Sequence, residues 1–510
     1  MHWLQPIRDI RGHSLRYLLT GCLSCCLLTL PAQVGQGLRV EISIDELADE
    51  FVVAPVGEFG LVVFGETDGP PSNGMTKWRF IQYGTDFQQL GARSVNIEKR
   101  YESRGHYFAD STLYILFTDI GRSDEYKLVR VNAASFGTRS LTGPMPKSLQ
   151  IRDFVVHNGW MYVAGATGNR DAIGVANLRN RILKLQPVDY RGTNSVQSID
   201  VTTSGLVAFT ITNYRRNDGL VYIQSFADGA LVDEVGVDPV SDNNLLSARI
   251  SEIEPGVRVI AGTYSKQRQY GTGMYLAKVE NGKQAFVTYH NFTDFDNFFS
   301  YLPQKKQARI ERKKERKEAK GKDLNLNYQL LTHDIIRRGD TYILVAEAYY
   351  ETYRTVQRWE TVYSYGRYRR VLRPRKVFDG YQYSHGVVAA FDDAGTLLWD
   401  NTFEMNDFKS FTLKERIQVN VQADAIEMAY GVEGRIRTKV IQGSEVIDRK
   451  QAAAITTGKR GEVVRRSTLT NLEYWYDEYF VVWGYQKIRA ADNRDEKKRK
   501  VFYFNKMSVL

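Results

Sequence analysis

Gln150-Ile151-Arg152-Asp153-Phe154-Val155-Val156, followed by Trp160-Met161-Tyr162-Val163-Ala164-Gly165 and then by Arg181-Ile182-Leu183-Lys184-Leu185, is the stretch that decides the fold. The middle run is apolar, rich in aromatic and β-branched residues, and ends on Gly, so it reads as a strand buried on both faces. The last run alternates polar and apolar residues and reads as its half-buried partner, with Gln150–Val156 as the leading strand.

Working outward, buried runs of the same kind begin near residues 61, 113, 160, 206, 257, 342, 424 and 479, at spacings of 52, 47, 46, 51, 85, 82 and 55. Alternating partners follow most of them, at Lys77–Ile81, Tyr126–Val131, Arg181–Leu185, Leu220–Ile223, Met274–Val279, Arg435–Val440 and Lys500–Phe504. Asp228-Gly229, Asn281-Gly282 and Asp393-Ala394-Gly395 supply the positive φ of hairpin turns. A unit of four antiparallel strands repeated about every fifty residues is the pattern of a propeller blade. The expectation is an all-β single propeller of seven to eight four-stranded blades over residues 33–510, with Val40–Ile44 completing the last blade as its outer strand. A pair of β-sandwiches would also show many short strands, but it gives no reason for one pattern at near-constant spacing.

The 510 residues are 43% hydrophobic and 25% charged, the composition of a folded chain. Residues 1–32 read as a secretory signal: Arg8, Arg11 and Arg16, an apolar run from Leu18 to Leu30, and Pro31-Ala32. That run makes about 20 Å of helix against about 30 Å of bilayer core, so export without a permanent anchor is expected. Cys22, Cys25 and Cys26 all fall inside this leader, which leaves a mature chain without thiol or disulfide chemistry. Leu19-Thr20-Gly21-Cys22 imitates a lipoprotein processing site, but most of the apolar run follows Cys22 instead of preceding it. The ending Lys506–Leu510 reads as a strand, so periplasmic or outer-membrane-associated residence is expected ahead of extracellular release.

Lys and Arg number 69 against 59 Asp and Glu, a net charge of +10. Residues 305–322 alone hold ten basic residues and three Glu, so the basicity is largely one segment and does not argue for nucleic acid. That segment lies in the first of two insertions, residues 293–332. Its Glu311, Lys314 and Glu318 stand at helical spacings, and its only large aliphatic residue is Ile310, so a solvated basic helix is expected. The second insertion, residues 349–383, reads as a long hairpin rich in Tyr and Arg, the residue types that bind partners by stacking and hydrogen bonding. Its candidate contact residues are Tyr353, Arg354, Arg358, Trp359, Tyr363, Tyr365, Arg367, Tyr368, Arg369 and Arg370; those of the helix are Lys313, Lys314, Arg316 and Lys317.

The chemistry of common enzyme motifs is missing. The His residues beyond the leader, His106, His157, His290, His333 and His385, form no local metal-ligand spacing, and no nucleophile elbow, phosphate loop or EF-hand loop occurs. The turn Asp392–Trp399 is similar to the turn-and-tryptophan repeat of quinoprotein propellers, but it occurs once with its Trp, so no quinone or other cofactor is indicated. Catalytic carboxylates drawn from several blades would be invisible at this level.

Phe299-Ser300-Tyr301-Leu302, Leu324–Tyr328, Glu347–Tyr350, Phe378–His385 and Leu398–Asn401 together resemble exported propeller-type proteins of the Bacteroidetes that have no assigned activity. The resemblance covers about a fifth of the chain. It implies an envelope setting and no catalytic residue. The function expected is a monomeric, non-catalytic propeller scaffold binding a protein partner of the envelope, such as an outer-membrane assembly or secretion complex, with peripheral membrane contact as a lesser role. The alternative is a propeller hydrolase or lyase acting on polysaccharide, which needs paired carboxylates in a deep channel.

Overall fold

The computed structural model describes residues 34–44, 51–67, 73–119, 124–188, 190–215, 218–267, 270–422, 425–490 and 498–509. The expected leader, residues 1–32, and the marker residue Asp424 lie outside the described residues.

Among the described residues eight antiparallel sheets follow one another along the chain, at 51–98, 101–144, 149–186, 193–237, 244–291, 329–410, 418–454 and 462–509. They are the blades of an eight-bladed propeller, numbered 1 to 8 in that order. Every apolar run singled out above is the second strand of its blade, from Leu61–Glu66 in blade 1 to Tyr479–Ala490 in blade 8. The second strand is flanked on both sides within its sheet and covered by a neighbouring blade on each face, which is why it is apolar on both. In blades 5 and 6 the inner strand is split: Asn244–Leu245 and Arg249–Glu254 pair with one second strand, Gln329–Thr332 and Ile336–Arg338 with the next.

Two strands differ from the sequence reading: Gln329–Thr332, expected inside the first insertion, forms part of the inner strand of blade 6, so that insertion ends before it, and blade 3 is built differently. The third strand of blade 3 is Arg170–Asn177, while Leu183–Gln186, which overlaps the alternating run Arg181–Leu185, is its outer edge. Ala172 to Ala176 are small or β-branched and all buried, so the segment shows no alternation. In the run that does alternate only Leu183 is buried, with Ile182 and Leu185 45% and 42% exposed, so its pattern belongs to a sheet edge and not to a half-buried inner strand.

The core is a series of interfaces between blades. Among the described residues eight apolar clusters are present, and each joins one blade to the next. The cluster between blades 8 and 1 closes the circle: Trp475, Trp483, Phe502 and Phe504 meet Phe51, Val63, Tyr83 and Phe87. The closing strand is Val34–Ser43, which pairs antiparallel with Arg499–Val509 as the outer strand of blade 8, Val40 opposite Phe504 and Ile42 opposite Phe502. Arg39 fastens it, with its guanidinium 4.5 Å from the Tyr503 ring and donating to Gln486 at 2.7 Å.

Both insertions leave from one edge of the propeller. In blade 5 the fourth strand ends at Asn291, opposite Gly273 where the third begins, so the connection to blade 6 departs on the side of the turn between second and third strands. That same turn in blade 6 is extended into the hairpin, from Thr341–Ser364 into Arg367–Phe391. A bridge between Gly271 and Tyr328 ties the two blades together at this edge.

Candidate functional site: the channel and the two projections

Inner strands and the segments leading into them line the central channel, and charged or titratable groups come to it from around the ring. Blade 2 gives His106, blade 3 Asp153, blade 4 Asp200, blade 5 Arg249, blade 6 His333 and Asp334, the segment leading into blade 7 Lys414 and Glu415, and blade 8 Glu473. Their fields act across the axis: Lys414, leading into blade 7, bears on His106 of blade 2, and Asp334 of blade 6 on Asp153 and Asp200 of blades 3 and 4. Register slips at Ser103/Gly105, Ile151/Asp153 and Val196/Ser198 place a bulge in three successive inner strands, which re-aims the side chains there.

Arg249 is the hub of the acidic side. Its Nε donates to the Thr332 carbonyl at 2.8 Å, its Nη2 to Glu415 at 2.6 Å, and its Nη1 lies 3.3 Å from Asp334. Behind it, buried Glu347 accepts from His333 Nε2 at 2.9 Å and from the backbone N–H groups of Arg416 and Ile417 at 2.7 and 2.6 Å. Enclosure by protein, reinforced by Asp334, pushes the Asp200 carboxyl up to about 7, and enclosure raises Asp153 in the same direction. Across the channel enclosure also raises Glu473 to about 7, and enclosure with the nearby Lys414 charge lowers His106 to about 4. A cleft of about 280 Å³ opens among blades 4 to 7, lined by Gln197, Ser247, Arg249, Tyr328, Thr332 and Tyr349. A larger depression, about 750 Å³, lies away from the channel, where Asp218, Asp238, Asp242 and Lys266 face solvent between blades 4 and 5.

These shifts have a measurable sign. Asp200 holds a proton in the folded state up to about pH 7 but releases it near 4 when unfolded, so its contribution to stability falls as pH rises between those values. Asp200→Asn is expected to match the wild type below about pH 4 and to melt at a higher temperature at pH 8. Thermal unfolding across pH checks this, and equal melting temperatures at pH 8 would contradict the assignment.

The hairpin of blade 6 carries the candidate contact residues on two opposite faces. Tyr363 pairs with Tyr368, Thr361 with Arg370 and Trp359 with Leu372, so these side chains share one face with Tyr353. Arg354, Arg358, Arg369, Arg373 and Arg375 share the other, together with Val356, Val362 and Val371, and Arg358 stands directly opposite Arg373. Tyr365 and Gly366, at φ of 50° and 73°, make the two-residue turn, with Arg367 just beyond it. The ribbon extends about 40 Å from its base at about 3.3 Å per residue. Trp359, Tyr363, Tyr365 and Tyr368 are 61%, 66%, 94% and 78% exposed, so the tyrosines do not cover a neighbouring blade. Few of its charges are neutralised locally: Arg354 lies 3.4 Å from Asp379 and Arg373 3.9 Å from Glu360. The base is braced by Lys409–Ser410, which pairs with Tyr381 and Gln382, and by Thr352 donating to the Gly380 carbonyl at 2.7 Å.

The first insertion is anchored before it becomes a helix. Phe292, Phe295, Phe298, Tyr301 and Tyr328 form one aromatic group around buried His385, whose ring stacks on Tyr301 at 3.9 Å and is held neutral by burial. Asp400 accepts from the backbone N–H groups of Asp296 and Asn297 at 2.8 Å each. Helix α1, Gln304–Glu318, then runs along the surface with Gln307, Ile310 and Lys314 on its half-buried side. Lys313, Arg316 and Lys317 are exposed, whereas Lys314 donates to the Thr293 carbonyl at 2.7 Å and so faces the propeller instead of a partner. Its ion pair is with Glu318 at 4.0 Å. The channel network and the docked side of α1 were not found from sequence, because the first draws on residues from around the ring and the second depends on where Thr293 lies.

No family model and no curated protein sequence matches the chain. Among solved structures, the chain is similar to a polysaccharide lyase at 8% identity, covering 80% of this chain and 90% of that one with a TM-score of 0.40. It is similar to a dihydro-heme d1 dehydrogenase at 12% identity, covering 92% and 78% with a TM-score of 0.42. A third is the β-propeller domain of the Trilobed protease from Pyrococcus furiosus, at 10% identity, 78% and 97% coverage and a TM-score of 0.34. At such identities the likeness concerns the fold and not the activity.

Proposed function

We propose that this chain is an exported propeller scaffold that holds a protein partner of the cell envelope, periplasmic or outer-membrane associated, without catalysing a reaction on it. The observation that supports this reading is the ribbon, which carries large aromatic side chains and a row of guanidinium groups into solvent, with Trp359, Tyr363, Tyr365 and Tyr368 all more than 60% exposed. Trp, Tyr and Arg dominate the energetics of protein interfaces, and a stiff ribbon loses little entropy when it docks. Replacing Trp359, Tyr363 and Tyr368 together by Ala is expected to reduce recovery of a crosslinked envelope partner by more than tenfold, since each such anchor is worth about 2 kcal/mol or more. Affinity capture of tagged protein from its own envelope, wild type beside variant, reads this out. Equal recovery of the same proteins would refute the ribbon's role.

The channel carboxylates favour a second reading, a hydrolase or lyase acting on polysaccharide. Asp153 and Asp200, on successive inner strands, have raised proton affinity and lie within the field of Arg249, an arrangement suited to acid–base work on a glycosidic or uronic-acid substrate. A glycan panel tests it: turnover by the wild type that disappears in Asp200→Asn would displace the scaffold reading.

A further inference from the structure

Helix α1 sorts its charges by side. At 100° per residue, Lys305, Arg309, Arg312 and Arg316 fall within about 60° of arc, directly opposite the half-buried Gln307, Ile310 and Lys314. Lys306, Lys313 and Lys317 extend this arc on one flank. Glu311, Glu315 and Glu318 all lie on the other flank, turned toward the docked side. Seven exposed cations therefore form one strip about 18 Å long with no acidic residue in it. A helix serving only as a solvated spacer gains most from mixed signs around its surface and pays a cost in repulsion for a strip of one sign.

The surroundings add to the strip. Residues 305–322 and 353–377 each carry a net charge of +7, so the remainder of the chain is at −4 while its total is +10. Both segments leave from the same edge of the propeller, giving an acidic body with one cationic face. The strip lacks any aromatic or aliphatic side chain, and so lacks the buried anchors on which a protein interface depends. What it complements is a flat array of negative charge without specific shape.

We infer that the outward strip of α1 docks this face of the propeller on a membrane surface rich in anionic phospholipid headgroups. Lys305, Arg309, Arg312 and Arg316 meet the phosphates, and the lysine flank adds to the attraction. The Glu flank stays toward the protein, and the apolar poverty of the helix keeps it on the headgroups without insertion. A propeller held in this way presents its ribbon to a partner in the same membrane. The inference is separate from the protein-partner reading, and either can fail alone.

Co-sedimentation with extruded vesicles tests it, using phosphatidylcholine alone and phosphatidylcholine with one third phosphatidylglycerol. The wild type is expected to pellet with the anionic vesicles only, and to be released as salt rises. Combined Lys305→Gln, Arg309→Gln, Arg312→Gln and Arg316→Gln should weaken binding by several hundredfold, at about fivefold per cation. The same four positions changed to other cations, with Lys305→Arg and the three Arg→Lys, should restore it, and these exposed changes leave the core untouched. Neutralising Glu311, Glu315 and Glu318 to Gln should not weaken binding. Indifference of the wild type to anionic lipid overturns the inference, as does undiminished pelleting of the four-Gln variant. Capture of an acidic protein through the strip in lipid-free buffer, without vesicle binding, would assign the strip to protein and overturn it too. A Trp359, Tyr363 and Tyr368 triple variant that still pellets but no longer captures a partner shows the two surfaces to be distinct.

Discussion

Glu347→Ala is expected to destabilise the propeller by about 3–5 kcal/mol, the range for removing one partner from a buried, hydrogen-bonded ion pair. Glu347 is fully buried in blade 6 and meets His333 of its own blade and the backbone leading into blade 7. Its loss strands the imidazolium and two backbone N–H donors at once. Although burial opposes the charge, hydrogen bonding to Glu347 and its field, aided by Glu415, hold the His333 pKa above the ordinary imidazole value. A raised folded-state pKa gives stability that is complete below about pH 6.5 and fades as pH rises through the folded value. Chemical denaturation of wild type and variant at pH 6 and pH 9 measures both effects. The gap should be wider at pH 6, and a gap independent of pH would contradict a charged His333.

Removing residues 34–43 is the second change with a large expected effect. Those residues supply the outer strand of blade 8, and without them the strand Arg499–Val509 is left as an open edge over the cluster of Phe502, Phe504 and Trp483. Phe502→Ala alone should cost about 3–5 kcal/mol as a large-to-small change in a packed core. The truncation goes further, because it also removes the ladder and the Arg39 contacts, and an unpaired apolar edge invites association between molecules. The expected outcome is a much lower melting temperature with concentration-dependent aggregation, followed by thermal unfolding and light scattering. A monodisperse truncated chain melting like the wild type would mean that closure rests on the side-chain cluster alone.

Much of the architecture was legible in the sequence because the second strand of a blade has one environment wherever it occurs. Buried on both faces, it must be apolar throughout, and it repeats at blade spacing. Val40–Ile44, read as the outer strand of the last blade, falls largely within the strand Val34–Ser43 that closes blade 8. The Arg170–Asn177 strand was missed because small residues buried on both faces carry no alternation. The two projections were visible as interruptions of the repeat and as departures in composition. Their organisation was only partly so: projecting residues 304–318 on a helical wheel would have separated the glutamates from the outward cations, but the docked side became clear only when Lys314 was seen to reach Thr293. The channel was beyond reach. Asp153, Asp200 and Asp334 come from three blades and Glu415 from the segment leading into a fourth, and nothing in their local sequences marks them as neighbours.

Closure by the strand Val34–Ser43 also sets the order of events as the chain folds. Each of the first seven blades is built from strands adjacent in sequence and can condense soon after its own residues emerge. Blade 8 cannot, because Arg39 and its partner Asn505 are separated by 466 residues. Until residues 499–509 are free to pair, the strand 34–43 has no partner and the ring stays open, so a late encounter between these two strands governs when folding is complete.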